Sequence, residues 1–485
     1  MRESVLLMLP IVLPVLAGLL LLLLPEWKNR KALCAFVGAV LCITGTLVFA
    51  NIAAVSEESP GFILFWLTKT LPVYFRPDTM GKIFMSAVTV VWVLAGFFSF
   101  EYMKHQRKEK RYYGFYLIVY GVLAALGFSG NLITFYFFYE LMTLTTLPLV
   151  LHTQTKEAVM AGLKYLFYSL SGAYMVLFGV YFLNRYGDTL TFGGGGVLNQ
   201  SLVSGHEQLL LVAAMLMITG FGVKAGMFPF HAWLTAAHPE APAPASAVLS
   251  GIIVKCGVLG ILRVVYDLFG ADFLRGTWVQ KTWLVITLLT VFMGSMMAYR
   301  EKLLKRRLAY STISQVSYIL FGLAVMEPEA LTGALLHTVC HAFTKCGLFL
   351  AAGAIIYKTG KTKVDELRGI GKEMPVTMWC YTILSLTLIG IPPTGGVLSK
   401  WYLCIGSLSG NIPVFSWLGP VILLISALLT AGYLLPLTIQ GFLPGEDYDY
   451  TTLKKKEPAW IMVVPLVILT VLAAGMGLFP VTPLQ

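Results

Sequence analysis

Long stretches of this chain are apolar and lack the alternation that a membrane strand requires. Such runs occupy 4–24, 32–54, 80–100, 112–128, 131–151, 162–183, 208–234, 243–266, 282–299, 306–325, 331–357, 375–403, 415–441 and 459–479. Each approaches or exceeds the roughly 20 residues that cross hydrocarbon as a helix. Without period-2 alternation, helices are favoured over a barrel. The pattern predicts an all-α integral membrane protein with about 14 transmembrane helices. Short connections leave no room for a soluble catalytic domain.

Composition agrees. Of 485 residues, 57% are hydrophobic and 12% charged, against about 25% charged in soluble domains. The net charge of +11 reads as topology rather than nucleic-acid binding. Clusters such as Lys104, Arg107, Lys108, Lys110 and Arg111, or Lys454, Lys455 and Lys456, follow odd-numbered runs, and the opposite loops hold few Lys or Arg. The positive-inside bias then places the basic loops in the cytoplasm and both termini outside. The first run is long and apolar, with no small-residue cleavage site before "EWKNRK", so a retained helix is expected rather than a signal peptide.

Five lysines belong to neither set of loops: Lys164, Lys224, Lys255, Lys345 and Lys400. Glu140 lies in "FYFFYELMTLTTLPL", and His337, His341 and Lys345 share "LLHTVCHAFTKCGLFL". The tenth run carries a polar stripe of Tyr310, Ser311, Ser314, Gln315 and Ser317. One charge at mid-membrane costs about 2.5–3.5 kcal/mol on insertion scales. Structural ion pairing could account for one pair, but intramembrane ionisable groups are functional candidates. His337, His341 and Lys345 recur every four residues and so line one helical face. H-x-x-x-H is also a zinc spacing, but no third ligand accompanies it. A proton relay suits histidine better.

Two stretches join a lysine to a helix break. "GFGVKAGMFPFHAW" holds Lys224 beside Pro229, with Gly220, Gly222 and Gly226; "GIPPTGGVLSKWY" holds Pro392, Pro393, Gly395 and Gly396 before Lys400. Proline removes a backbone donor, and broken helices are tolerated in a bilayer where freed groups are buried in protein or line a cavity. Such a break can bring water to the charge. The breaks fall in the seventh and twelfth runs, five apart. This predicts two inverted five-helix repeats, helices 4–8 and 9–13, with helices 7 and 12 discontinuous, a transporter pattern. The expected segments are 1–105 (three N-terminal helices), 106–270 (first repeat), 280–442 (second repeat) and 455–485 (a C-terminal helix).

No catalytic or redox site is expected on the chain, and no cofactor or metal. The seven cysteines lie in apolar runs without C-x-x-C, and no iron–sulfur, zinc, dinucleotide, P-loop or nucleophile-elbow pattern occurs. The glycines at 193–196 read as a flexible turn.

Five segments resemble a known family: "YELMTLTTLPL", "KAGMFPFHAWLTAAHPEAPAPASAVLSGIIVKCGV", "KRRLAYSTISQVSY", "HTVCHAFTKCGLFLAAGAI" and "LRGIGKEMPVTMWCYTILSLTLIGIPPTGGVLSKWYL". They are similar to the proton-pumping, antiporter-like subunits of respiratory complex I, of Mrp-type cation/proton antiporters and of membrane-bound energy-converting hydrogenases. The likeness runs from about residue 110 to 440 and is strongest to the D-type Mrp component and hydrogenase-type homologues. It implies fourteen helices with inverted repeats at helices 4–8 and 9–13. It also implies that Glu140 and Lys224 form an acid–lysine pair, that Lys255 bridges, that His337, His341 and Lys345 line a second half-channel, and that Lys400 ends it. The family's largest member continues into a lateral helix; this chain stops at Gln485, which argues against that type. Lysine at position 400 argues against one complex I paralogue.

The expected function is therefore proton translocation along Glu140, Lys224, Lys255, His337, His341, Lys345 and Lys400. The drive comes either from cation/proton exchange or from a partner oxidoreductase. Expected partners are other membrane subunits, homologous antiporter-like subunits among them, a peripheral redox arm, the lipid bilayer and protons, with sodium as the competing ion and no nucleic acid. The expected location is a bacterial or archaeal cytoplasmic membrane. Competing readings are a non-pumping scaffold subunit of a membrane oxidoreductase, in which the central lysines are dispensable, and a stand-alone inverted-repeat solute transporter, which needs a substrate pocket.

Overall fold

The computed structural model describes residues 2–25, 27, 29–54, 61–69, 71–446, 448–449 and 454–478. Lys28 of the first basic loop and the end of the segment expected at 455–485 lie outside the described residues. The main helices are α1 (Arg2–Leu23), α2 (Arg30–Ala54), α3 (Thr79–Tyr102), α4 (Glu109–Gly127), α5 (Leu132–Val150), α6 (Lys156–Tyr186), α7 (Glu207–Ala225), α8 (Ala232–Glu240) and α9 (Ala243–Phe269). They continue with α10 (Trp278–Arg300), α11 (Leu304–Val325), α12 (Pro328–Thr359), α13 (Pro375–Ile389), α14 (Gly395–Ser409), α15 (Phe415–Phe442) and α16 (Trp460–Gly475). Among the described residues, 11 helices are long and apolar enough to cross a membrane. The remaining expected runs appear as α4, as the pair α13 and α14, and as the short α16.

The chain divides into two compact units. The first comprises 1–96, 103–224 and 259–275; the second comprises 97–102, 225–258 and 276–485. Residues 225–258, which contain the first helix break, group with the second unit.

In the first unit, α5 and α6 begin with side-chain caps. Asn131 accepts from the Thr134 amide and Thr155 from the Ala158 amide, each satisfying a donor that the first turn leaves free. Helix α6 then crosses α7 at two glycines. A Cβ on Gly172 would lie 2.5 Å from the Gly220 carbonyl oxygen, and one on Gly220 would lie 2.4 Å from that of Gly172. Small residues permit such close crossing in membranes. A connection between α2 and α3, apolar but too short to span, forms an antiparallel hairpin of β1 (Phe62–Thr68) and β2 (Leu71–Phe75), with Phe62 opposite Phe75. The glycine stretch at 193–196 is fastened rather than loose. Gly195 and Val197 donate backbone hydrogen bonds to the carbonyls of Tyr266 and Leu268. Nearby, the buried Arg263 guanidinium is bonded by Asp78 and, at 2.8 Å, by Asp267, with the Phe192 ring 4.5 Å away. Burial pulls the Asp78 carboxyl upward, but the Arg263 hydrogen bond and charge outweigh it and hold it below the usual carboxylate range.

In the second unit, α11 and α12 are almost wholly buried. Helix α9, which starts in this unit and ends in the first, is buried along its whole apolar length. It carries two π-helical segments, Leu249–Ile253 and Arg263–Phe269. No sequence pattern announces them. Such segments free backbone groups from the regular ladder and cluster at functional sites.

Candidate functional site

In the first unit, Lys224 occupies the last turn of α7 and is fully buried. The glycine crossing one turn earlier brings α6 close enough for its polar side chains to reach the ammonium. Lys224 Nζ donates to Ser169 Oγ at 2.8 Å, Thr143 Oγ1 at 2.9 Å and the Tyr165 hydroxyl at 3.1 Å. The Tyr165 ring centroid lies 4.3 Å away and that of Tyr139 5.7 Å away, within cation–π range. Thr146 Oγ1 shares a 2.7 Å bond with the Tyr165 hydroxyl. Glu140 precedes Thr143 by three residues, so the carboxylate and one lysine acceptor share a face of α5. Glu140 is half-buried, and its Oε1 has no hydrogen-bond partner among the described residues. Beyond Lys224 the helix stops. Gly226 takes φ +79°, the Phe228–Pro229 bond is cis, and the Phe228 amide donates to Thr290 Oγ1 at 3.1 Å before α8 begins.

In the second unit, Lys255 follows the first π-helical segment and donates from Nζ to the Ser250 carbonyl at 2.7 Å. Ser250 Oγ in turn shares a 2.7 Å bond with Thr312 Oγ1. Helix α12 packs against this segment and carries His337, His341 and Lys345, all buried. Lys345 Nζ donates to the Leu308 carbonyl at 3.2 Å. Neither ring nitrogen of His341 has a hydrogen-bond partner among the described residues, and its ring stacks on His337 with centroids 5.7 Å apart. His337 Nδ1 shares a 2.9 Å bond with Ser399 Oγ, and its Nε2 has no partner.

Tyr318 extends the row. Its ring stacks on His337 at 5.6 Å and lies 5.0 Å beneath Lys400 Nζ, while its hydroxyl donates to the Leu423 carbonyl. The second break shapes the end of this row. Helix α13 stops at Ile389, Gly390 takes φ +89°, the Pro392–Pro393 bond is cis, and α14 starts at Gly395. A Cβ on Gly396 would meet the Thr387 carbonyl oxygen at 1.8 Å, so only glycine lets α14 begin there. Lys400 Nζ donates to the carbonyls of Leu388 at 2.7 Å and Ile389 at 2.8 Å. These are terminal carbonyls of α13, where a cation is electrostatically favoured.

The structure thus joins His337, His341 and Lys400 into one row through Tyr318. It sets Lys345 two helical turns beyond His337 on α12 and gives Lys255 a separate carbonyl on α9. Pro229, Pro392 and Pro393 sit in the breaks. Sequence reasoning missed Thr143, Tyr165, Ser169, Tyr318 and Ser399, because hydroxyl residues are ordinary in membrane helices. It also missed His238, which is buried and stacked on Phe349 with both ring nitrogens unpartnered. The polar stripe on α11 divides. Ser311 bonds the Tyr433 hydroxyl and Ser314 bonds Ser295, whereas Gln315 and Ser317 have no side-chain partner.

Known proteins resemble this chain in sequence and in fold. The chain is 31% identical over 384 residues to NADH-quinone oxidoreductase subunit N of Desulforudis audaxviator, covering 77% of this chain and 75% of the relative. It is also 31% identical over 403 residues to hydrogenase-4 component B of Escherichia coli, covering 80% of this chain and 58% of that longer protein. A chain in the structure of the Mrp complex from Dietzia sp. DQ12-45-1b has the same fold, with TM-score 0.84 at 22% identity over 99% of this chain and 95% of that one. The sequence matches the family model over residues 129–430, which include every candidate site residue. The protein is a multi-pass integral membrane protein, and the chain belongs to the NADH:quinone oxidoreductase/Mrp antiporter transmembrane family.

Proposed function

We propose that this chain translocates protons as an antiporter-like subunit of a multi-subunit membrane complex, through its buried lysines and histidines. One observation carries the reading. Lys255, Lys345 and Lys400 donate to backbone carbonyl oxygens. A lysine held by neutral oxygens can release its proton without stranding a carboxylate partner, whereas a lysine in a structural ion pair cannot. Both ring nitrogens of His341 and Nε2 of His337 are buried without hydrogen-bond partners among the described residues, and entering water can link them to the lysines.

In this reading Glu140 controls Lys224. The carboxylate favours the ammonium when it swings towards Thr143 and the lysine; when a neighbouring polypeptide pulls it away, the proton leaves. The second row passes protons between Lys255, His341, His337 and Lys400. The two proline-and-glycine breaks, each beside a lysine, support inverted repeats over 106–270 and 280–442. The basic loops support both termini outside a bacterial or archaeal cytoplasmic membrane. Relatives named for quinone oxidoreductases, hydrogenase and Mrp antiporters make either a redox arm or a cation gradient the driving partner.

The test uses the purified complex in vesicles with a pH-sensitive dye. Lys224→Met and Glu140→Gln should each abolish proton uptake while native gels show an intact complex. Uptake at the normal rate in either variant would overturn the proposal.

A further inference from the structure

Lys164 has no part in either site. It lies about two turns into α6 and is exposed. Among the described residues it makes no hydrogen bond or ion pair. Its neighbour Tyr165, about 100° round the helix, is buried and holds Lys224, so Lys164 stands at the level of the buried site but on the exposed face of the helix. The helix surface beside it is apolar: Met160, Leu163 and Phe167 are largely exposed, and Tyr174 and Tyr181 continue the exposed face about 15 and 25 Å further along α6. Met160 lies on the side nearer the polar start of the helix at Lys156 and Glu157, so apolar surface separates the lysine from that end.

A lone cation in such a belt is costly against lipid and rare. Its cost falls when a carboxylate faces it. Exposed aromatic side chains along this face, Phe167 beside the charge and Tyr174 and Tyr181 beyond it, are the composition of an interface core. A second copy of this chain, docked about a twofold axis at this face, would set Lys164 against its own equivalent, and like charges repel there.

We infer that the Lys164 face of α6 seats a transmembrane helix of a different polypeptide, whose Asp or Glu lies opposite Lys164. The inference rests on the chain's being one subunit of a complex and is independent of the proton path.

The experiment places the photoreactive residue p-benzoylphenylalanine at Phe167 or Leu163 in the full complex within native membranes. Irradiated adducts are then identified by mass spectrometry. The expected product is one partner polypeptide, joined at an apolar segment that contains an Asp or Glu. Lys164→Glu should lower that adduct and the yield of assembled complex at least tenfold, and exchanging the partner's carboxylate for lysine should restore both. Lys164→Arg should assemble and pump normally. If Lys164→Glu fails to accumulate, Lys164→Met serves instead, with the same loss of adduct expected. No protein adduct, an adduct only to another copy of this chain, a partner segment without a carboxylate, or a full adduct yield in Lys164→Met would each overturn the inference. The last result would mean that the lysine reaches up to lipid headgroups. Failure here is a failure of assembly; failure of the proton-path reading appears as an assembled complex that pumps with Lys224→Met.

Discussion

The two broken helices start from one sequence device and end in different solutions. Around α7, lysine precedes the proline: Lys224 completes the helix and finds side-chain hydroxyls on α5 and α6. Around α14, lysine follows the prolines: Lys400 reaches back over the gap to the terminal carbonyls of α13. The first lysine depends on how neighbouring helices cross. The second depends on the break itself, whose exposed carbonyls supply its partners. Side chains hold the lysine that precedes its proline, and backbone holds the lysine that follows its prolines.

The strongest way to break this comparison is at Gly396. With a Cβ placed 1.8 Å from the Thr387 oxygen, Gly396→Ala should destabilise the second break by about 3 kcal/mol and lower the melting temperature in detergent. A variant that melts with the wild type would show that the backbone contact does not set the break.

Removing the lysines sharpens the contrast. Lys400→Met leaves two terminal carbonyls without their donor and should cost about 2 kcal/mol. Lys224→Met leaves hydroxyls that can rotate towards one another, as Thr146 and Tyr165 already do, and should cost less than about 1 kcal/mol. Thermal melts of the two variants in one detergent should rank in that order; the reverse ranking would refute the assignment of backbone to one lysine and hydroxyls to the other.

The smallest effect separates two tyrosines. Tyr165 meets its lysine with both hydroxyl and ring, and Tyr165→Phe should slow proton uptake about fivefold, the loss of one hydrogen bond of about 1 kcal/mol. Tyr318 presents only its ring to Lys400 and His337, so Tyr318→Phe should slow uptake by less than about twofold. Equal effects would mean that the Tyr318 hydroxyl, bonded to Leu423, also serves the row.

Much of this was legible beforehand. Glu140, Lys224, Lys255, His337, His341, Lys345 and Lys400 stand out because charge in an apolar run is costly, and Pro229, Pro392 and Pro393 because proline cannot continue the backbone ladder. The hydroxyl partners were not legible. Ser169 and Tyr165 become ligands only because Gly172 and Gly220 let α6 approach α7. Ser399 reaches His337 only because α14 packs on α12. The π-helical segments of α9 were also hidden, since they arise from how one buried helix fits its neighbours. The hairpin at Phe62–Phe75 was hidden by its length, too short for a span and too apolar to read as a loop.

By itself, then, the amino-acid order determined that this is a helical membrane protein, where its helices must break, and which charges lie within apolar runs. These are local matters of hydrocarbon solvation and backbone donors. Tertiary structure alone decided what each charge touches. That choice depends on helix crossings, and a crossing is set by small residues meeting across distant parts of the chain.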